Sequence, residues 1–464
     1  MQTNKMTPAV KLGYASASFG DSATYSFVNT FLLFFLTTVA GIEPAAAGTI
    51  IIVGSVWNTI INPIIGYLSD NCASRWGRRR PFLAVMAPAL GASIFLLFTA
   101  LDIIPAIKPL YYGAVLMIFW TAFTGFFVPH LALGAEYTQD YHERTDLRSY
   151  ASILNMTGTL VGMVLPSLMA DFFVERGLSL EAAWSCTGAL VGITSTVSIL
   201  ITVRASKGRD LPCAREDRSV LPKLRMKELF GEYLEVIKLK PVIYLMLTSL
   251  FTLICNAMLS SDLMYYFTYN QKMDAKEISM MFLYKTVIAI LLILVVKQVS
   301  RKTDKRTALM LDFIVGAAGI TLMFFVGADT PVLLFVFMLF VTISTSIYWQ
   351  LMPAIIYDVC EYDELETGHQ RQGVIVSLQG LVEALAAGIG AQLLGIVLQL
   401  AGFDGNAAVQ TETALKAVEL SVTVLPAVFL VLAFVCMKKY PITKERFEEI
   451  QRKLAERKNK LFMF

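Results

Sequence analysis

Among the ionisable residues inside long apolar runs, four are the leading candidates for chemistry: Asp21, Asp262, Lys285 and Glu383. A charge at membrane depth is costly, so each is a candidate for holding a polar solute or moving a proton. Asp262 and Lys285 fall on consecutive runs at comparable depth, which allows a buried ion pair. Such a pair serves a purely structural salt bridge as readily as a transport role. Glu383 can carry a proton as a neutral acid, or make a helix-packing hydrogen bond. Tyr25, Trp120, Tyr265, Tyr266 and the adjacent Tyr348 and Trp349 offer rings that suit the C–H faces of a sugar. In membrane helices such rings more often serve packing or the interfacial belt.

Other chemistry is missing. Three histidines show no HExxH-like spacing, and six scattered cysteines form no CxxC pair. There is no nucleophile elbow and no phosphate loop. These residues point away from an enzyme, a bound metal and a resident cofactor. The cysteines read as small apolar residues inside helices.

The elements that must position these groups are membrane spans. The 464 residues are 56% hydrophobic and 16% charged, with a mean hydropathy of +0.61. A soluble domain carries about a quarter charged residues. A bilayer's hydrocarbon core needs roughly 20 mostly apolar residues per helix. Runs of that kind cover 12–40, 47–69, 81–104, 109–135, 148–173 and 180–203, then 241–269, 277–298, 307–327, 331–359, 373–402 and 416–437. Prolines 63, 88, 129, 166, 353 and 426 lie inside the runs and are expected as tolerated kinks. The short polar N-terminus enters a run too long for a cleavable signal, so it is expected to be retained.

Lys and Arg placement orients the chain. Lys5, Lys11, Arg75, Arg78, Arg79, Arg80, Arg144, Arg148, the cluster from Arg204 to Lys240, the group around Arg301 and Arg371 all fall on one side. Both termini are expected in the cytoplasm. The expected organisation is a six-helix half over 1–204, a cytoplasmic linker over 205–240, a second half over 241–438 and a cytoplasmic tail helix over 439–464. In that tail Phe447, Ile450 and Leu454 share one face, suited to packing on the membrane or the protein. The halves echo each other. Asp140-Tyr141-His142-Glu143 follows the fourth run and Glu361-Tyr362-Asp363-Glu364 the tenth. SRWGRRR after the second run has a weaker partner, SRKTDKR, after the eighth. A six-plus-six repeat is how alternating-access carriers are built.

The basic cluster beside Asp70 can pair with carboxylates and helix C-termini, locking one access state and releasing the other. The expected cytoplasmic gate comprises Asp70, Arg75, Arg78, Arg79, Asp140, Glu143, Arg144, Glu361, Glu364 and Arg371.

Four stretches carry a family resemblance: WNTIINPIIGYLSDNCASRWGRRRPF, LGAEYTQDYHERTDLRSY, IIYDVCEYDELETGHQRQG and NTFLLFFLTTVAGI. In this order they resemble the glycoside–pentoside–hexuronide symporters, the melibiose permease group of the major facilitator superfamily. The resemblance implies an all-α membrane fold of twelve helices and a carrier of small solutes. It also implies that the first helix lines the cavity, which favours Asp21, Ser22 and Tyr25 as substrate contacts with Trp120, Thr124, Tyr348 and Trp349. The sequence departs from the family at its cation site. Where the family has two carboxylates in the second helix, this chain has Asn58 and Asn62; Thr124 survives, and Phe127 replaces an acid. An amide offers an oxygen but no charge, and takes no proton at physiological pH.

The expectation is therefore a multi-pass monomer of the cell membrane, the cytoplasmic membrane in a bacterium. It moves a glycoside or sugar by alternating access and binds no nucleic acid. Asp262, Lys285 and Glu383 are its coupling candidates. H+ coupling or uncoupled diffusion is expected in place of Na+ coupling. An amphipathic, lipid-like or sterol-like substrate is the alternative within transport. A non-transporting sensor on a carrier scaffold is the alternative outside it.

Overall fold

Backbone groups in hydrocarbon must bond within their own segment, so each apolar run closes into a helix. In the computed structural model these are α1 (Pro8–Phe34), α2 (Pro44–Asp70), α3 (Arg80–Leu97), α4 (Lys108–Glu136), α5 (Tyr141–Glu175) and α6 (Leu180–Ala205), followed by α7 (Lys240–Tyr265), α8 (Ala275–Lys302), α9 (Lys305–Val326), α10 (Pro331–Thr367) and α11 (Gln372–Leu400). The last run is split into α12 (Glu412–Val422) and α13 (Val424–Lys438), and α14 (Lys444–Phe462) is the tail. The structure describes residues 6–70, 72, 74–102, 104–137, 141–208, 233–368, 371–405, 407 and 409–462. Among these, twelve helical spans are long and apolar enough to cross a membrane.

Five of the six expected prolines lie in helix interiors, past the first turn: Pro63, Pro88, Pro129, Pro166 and Pro353. Pro426 instead accompanies a break, not a kink. Its ring cannot donate to the Val422 carbonyl one turn earlier and clashes with it. Thr423 takes φ −120° and ψ −78°, outside the helical region, and separates α12 from α13.

The first and seventh spans end alike. α1 continues into a π-helical turn at Phe35–Val39, and α7 into one at Tyr266–Asn270.

The chain clusters into two compact units. Unit 1 holds residues 1–221 with 263–283 and 391–415; unit 2 holds 222–262, 284–390 and 416–464. Inside unit 1, α1 runs against α5 and α6. The approach to α5 is close enough that a Cβ added at Gly162 would lie 2.2 Å from the Ala23 carbonyl oxygen. Small residues at helix crossings permit this in lipid, where burying apolar surface gives no drive. Trp184 of α6 anchors an aromatic cluster with Phe27, Phe31, Phe35 and Phe98.

The end of unit 1 remote from the basic loops is sealed. Thr37 Oγ1 lies 2.6 Å from Tyr265 Oη. Gln399 Oε1 accepts from the Ala45 amide at 2.9 Å, and Ser167 Oγ lies 2.9 Å from Ser279 Oγ. A Cβ at Gly405 would fall 2.1 Å from the Thr37 carbonyl oxygen, so only glycine fits that approach.

In unit 2, α9 packs against α10 and α13, and α14 rests on α10. Ile450 and Leu454 are buried by this contact, and the Lys305 ammonium sits 5.2 Å from the Phe447 ring centroid. The tail's apolar face is therefore applied to protein. A cavity of about 170 Å³ beside α14 is lined by Lys305, Arg306, Asp358, Tyr440 and Phe447 among others.

Candidate functional site

The cation-site remnants come together in unit 1. Thr124 Oγ1 of α4 donates to Asn58 Oδ1 of α2 at 2.7 Å. Asn62, one helical turn after Asn58, directs Nδ2 to the same oxygen at 3.4 Å and to the Asn58 carbonyl at 3.3 Å. The Asn58 amide oxygen thus faces two protein donors, and among the described residues no carboxylate is bonded to them. The neighbouring Trp57 indole is fixed by donating to Thr121 at 2.9 Å.

The substrate candidates of unit 1 separate into two kinds. Trp120 is buried edge-on to Phe123 and packs T-shaped with Tyr25, centroids 6.4 Å apart. Phe127 stacks on Phe123 at 5.8 Å, which extends a continuous aromatic wall from Tyr25. Asp21 is part-buried on α1 in the same unit. Ser22 is committed elsewhere, because its hydroxyl donates to the Ser18 and Asn155 carbonyls at 2.7 Å each and ties α1 to α5. Tyr265 and Tyr266 lie at the seal; Tyr266 accepts from Gln271 at 2.9 Å.

In unit 2, Tyr348 is buried and its hydroxyl accepts from Gln379 Nε2 of α11 at 2.7 Å. Trp349 packs edge-on to Tyr348 but is 49% exposed. Consecutive residues on a helix point about 100° apart, so the pair divides between core and surface. Glu383 is part-buried, one turn beyond Gln379. Asp262 is fully buried and Lys285 nearly so, yet no salt bridge joins them among the described residues. Equal depth on neighbouring helices does not guarantee facing sides.

The gate candidates form local networks. Glu143 accepts from Lys11 Nζ and from the Met6 amide, while Asp146 accepts from the same Lys11 at 2.8 Å. Arg79 donates to Ser69 at 2.7 Å, and Arg75 is exposed. In unit 2, Arg371 holds Asp363 through two nitrogens, at 2.6 and 3.1 Å, and reaches Glu235 at 3.0 Å. That hydrogen bond to Asp363 holds the guanidinium above its ordinary value, against an opposing desolvation effect. Glu361 and Glu364 lie part-buried on the same stretch of α10. The side chains of Asp70, Asp140 and Arg144 lie outside the described residues.

Sequence reasoning passed over several groups. Lys11 counted only as topology charge, and its partners lie 132 and 135 residues away. Lys305 forms a bidentate pair with Asp358, both contacts at 2.7 Å. His130 is buried, stacked on Tyr14 at 4.5 Å. Asp312 is buried in α9. The signal for Asp312 was available, as an acid within an apolar run.

A family model described as MFS/sugar transport protein matches residues 13–444. An uncharacterized symporter of Bacillus subtilis, YnaJ, is 25% identical across 98% of this chain and 96% of its own length. The glucuronide carrier protein homolog of Escherichia coli is 23% identical, covering 96% of this chain and 95% of that protein. For the isoprimeverose transporter of Lactiplantibacillus pentosus the identity is 20%, with 94% and 88% covered. Among solved structures, the nucleoside transporter NupG matches with a TM-score of 0.66 at 14% identity, covering 94% of this chain and 100% of that one. A bacterial homolog of the human lysosomal transporter Spinster, in an inward-facing conformation, gives 0.70 at 11% identity, covering 94% and 98%. Both structures share the fold.

Proposed function

The chain belongs to the MFS/sugar transport protein family, and from that premise we propose that it carries a small glycoside or sugar driven by protons or by the solute gradient alone, without sodium. It is a multi-pass secondary transporter of the cytoplasmic membrane and not an enzyme. The basic loops and both termini are assigned to the cytoplasm, with halves at 1–204 and 241–438, a linker at 205–240 and a tail at 439–464. The transporter is assigned as a monomer.

One observation carries the coupling reading. Asn58 Oδ1 already accepts from Thr124 and Asn62, and a sodium ion would have to displace both with no negative charge in return. The solute reading is supported by the relatives, among them a glucuronide carrier homolog and an isoprimeverose transporter. Uptake into proteoliposomes against a glycoside panel, with and without Na+ and with and without a pH gradient, tests both. Steep sodium dependence sinks the coupling reading. Failure of every glycoside to exchange in counterflow sinks the solute reading.

The aromatic wall from Tyr25 through Trp120 and Phe123 to Phe127 favours a second substrate class, an amphipathic molecule with a flat apolar body. Protection from heat by such a compound, and by no glycoside, would select it.

A further inference from the structure

Asp312 of α9 is 3% exposed, and neither carboxyl oxygen has a hydrogen-bond partner among the described residues. It lies seven residues beyond Lys305, inside a 22-residue membrane span. An ionised carboxylate stranded in such a place is strongly disfavoured unless a cation or a proton neutralises it.

The surroundings decide which. α9 packs against α10 and α13. From α7, the Cys255 thiol is near enough to Asp312 for a direct electrostatic effect. From α13, residues 424–437 contain no acid or base, and Lys438 is exposed at its end. The cations at the start of α9 are engaged elsewhere. Lys305 is paired with Asp358, and Arg306 donates to the Met437 and Lys438 carbonyls. From α10, the register follows from Gly316, whose added Cβ would lie 2.4 Å from Ser344 Oγ. These helices are antiparallel neighbours, so one turn from Gly316 back to Asp312 corresponds to one turn from Ser344 on to Tyr348. Tyr348 is bonded to Gln379 of α11, and Glu383 acts on it electrostatically. Among the described residues, no basic group is bonded to Asp312.

A metal ion needs several oxygen ligands, and none is bonded to Asp312. A proton needs only the carboxyl itself. We propose that Asp312 is a proton-binding site of this carrier, holding H+ as a neutral carboxylic acid and exchanging it with water during transport. An O–H bond forms on one Oδ when the proton is taken up. It breaks when the conformational cycle wets the site, leaving a carboxylate and a hydrated proton. This inference rests on the proton-driven branch of the functional reading.

Two measurements on the full-length chain test it. In proteoliposomes, the near-isosteric Asp312→Asn variant is compared with the parent chain in counterflow and in accumulation driven by a pH gradient. Counterflow is expected to persist within about twofold, while driven accumulation falls by about tenfold or more. A variant that accumulates solute as the parent does overturns the inference and leaves the functional reading intact. A parent chain that exchanges solute but gains nothing from a pH gradient overturns the inference and leaves the solute-gradient branch of the functional reading standing. Independently of any variant, the parent chain is treated with a hydrophobic carbodiimide. Such a reagent takes the proton from a carboxylic acid and bonds to its oxygen, so peptide mass spectrometry should find the adduct on Asp312. Its absence there overturns the proposal, whether or not the variant folds.

Discussion

The hydroxyls of Thr37 and Tyr265 meet at 2.6 Å where two π-helical turns come together, one ending the first span and one ending the seventh. The contact is buried, and the Gly405 backbone lies against the same turn of α1. A carrier must break such a seal once per cycle, so its strength should set a rate. Tyr265→Phe leaves a buried threonine hydroxyl with its local carbonyl bonds alone, and should weaken closure by about 1 kcal/mol. Labelling of a cysteine introduced at Thr38 by a membrane-impermeant maleimide should then speed up. Unchanged labelling would mean that the seal depends on the glycine contacts alone.

Gly405→Val presses the same point from the other side. With a Cβ built 2.1 Å from the Thr37 carbonyl oxygen, the two segments must separate. Transport should fall while the protein remains folded in detergent, and the Thr38 cysteine should become accessible. A fully active, closed variant would contradict the geometry.

Asn58→Asp with Asn62→Asp returns two carboxylates beside Thr124. On the proposed coupling, this double variant should acquire a sodium response absent from the parent. At about ten times its dissociation constant, bound Na+ should stabilise the fold by about 1.4 kcal/mol, read as a sodium-dependent rise in melting temperature. A flat response would show that more of the site has gone than its charges.

Arg371 and Asp363 are both mostly buried, and Asp363 is wholly so. Asp363→Asn removes the buried carboxylate and leaves Arg371 with the exposed Glu235 alone, and should cost about 3 kcal/mol in thermal stability. By contrast Asp146, which pairs with Lys11, is well exposed. Asp146→Asn should cost less than about 1 kcal/mol. Equal losses would undo this distinction by burial.

The tail should respond to acid. Glu449 is held below its ordinary value of 4.5 by Lys453 first and by Arg446 next. A carboxyl depressed in the folded state stabilises that state above its ordinary value, and the benefit disappears as pH falls through the lowered one. Amide exchange across α14 should therefore quicken below about pH 4, with the membrane spans unaffected. A tail whose exchange is flat in this range would show that Ile450 and Leu454 alone hold it.

The twelve spans were legible because hydrocarbon demands long apolar helices, and that demand is written locally. The break at Thr423 was less so, since the same proline is absorbed within α10 at Pro353. What decides is tertiary packing around each carbonyl. At the candidate site, the meeting of Asn58, Asn62 and Thr124 could be anticipated from the family pattern. The partners of Lys11 could not, because they lie on another helix more than a hundred residues away. Asp262 and Lys285 show the limit of depth as a guide, because spacing along two helices fixes height and leaves the facing side open. Asp312 was within reach of the rule that picked out Asp21 and Glu383, and only the structure drew it out by showing a carboxyl with no bonding partner among the described residues.

The amide oxygen of Asn58 is occupied by the protein's own donors, Thr124 and Asn62. On the proposed sodium-independent coupling, a host would meet fresh or saline surroundings without any change in how readily the carrier loads. The sodium gradient that such a cell keeps for other work would then be left untouched by this route.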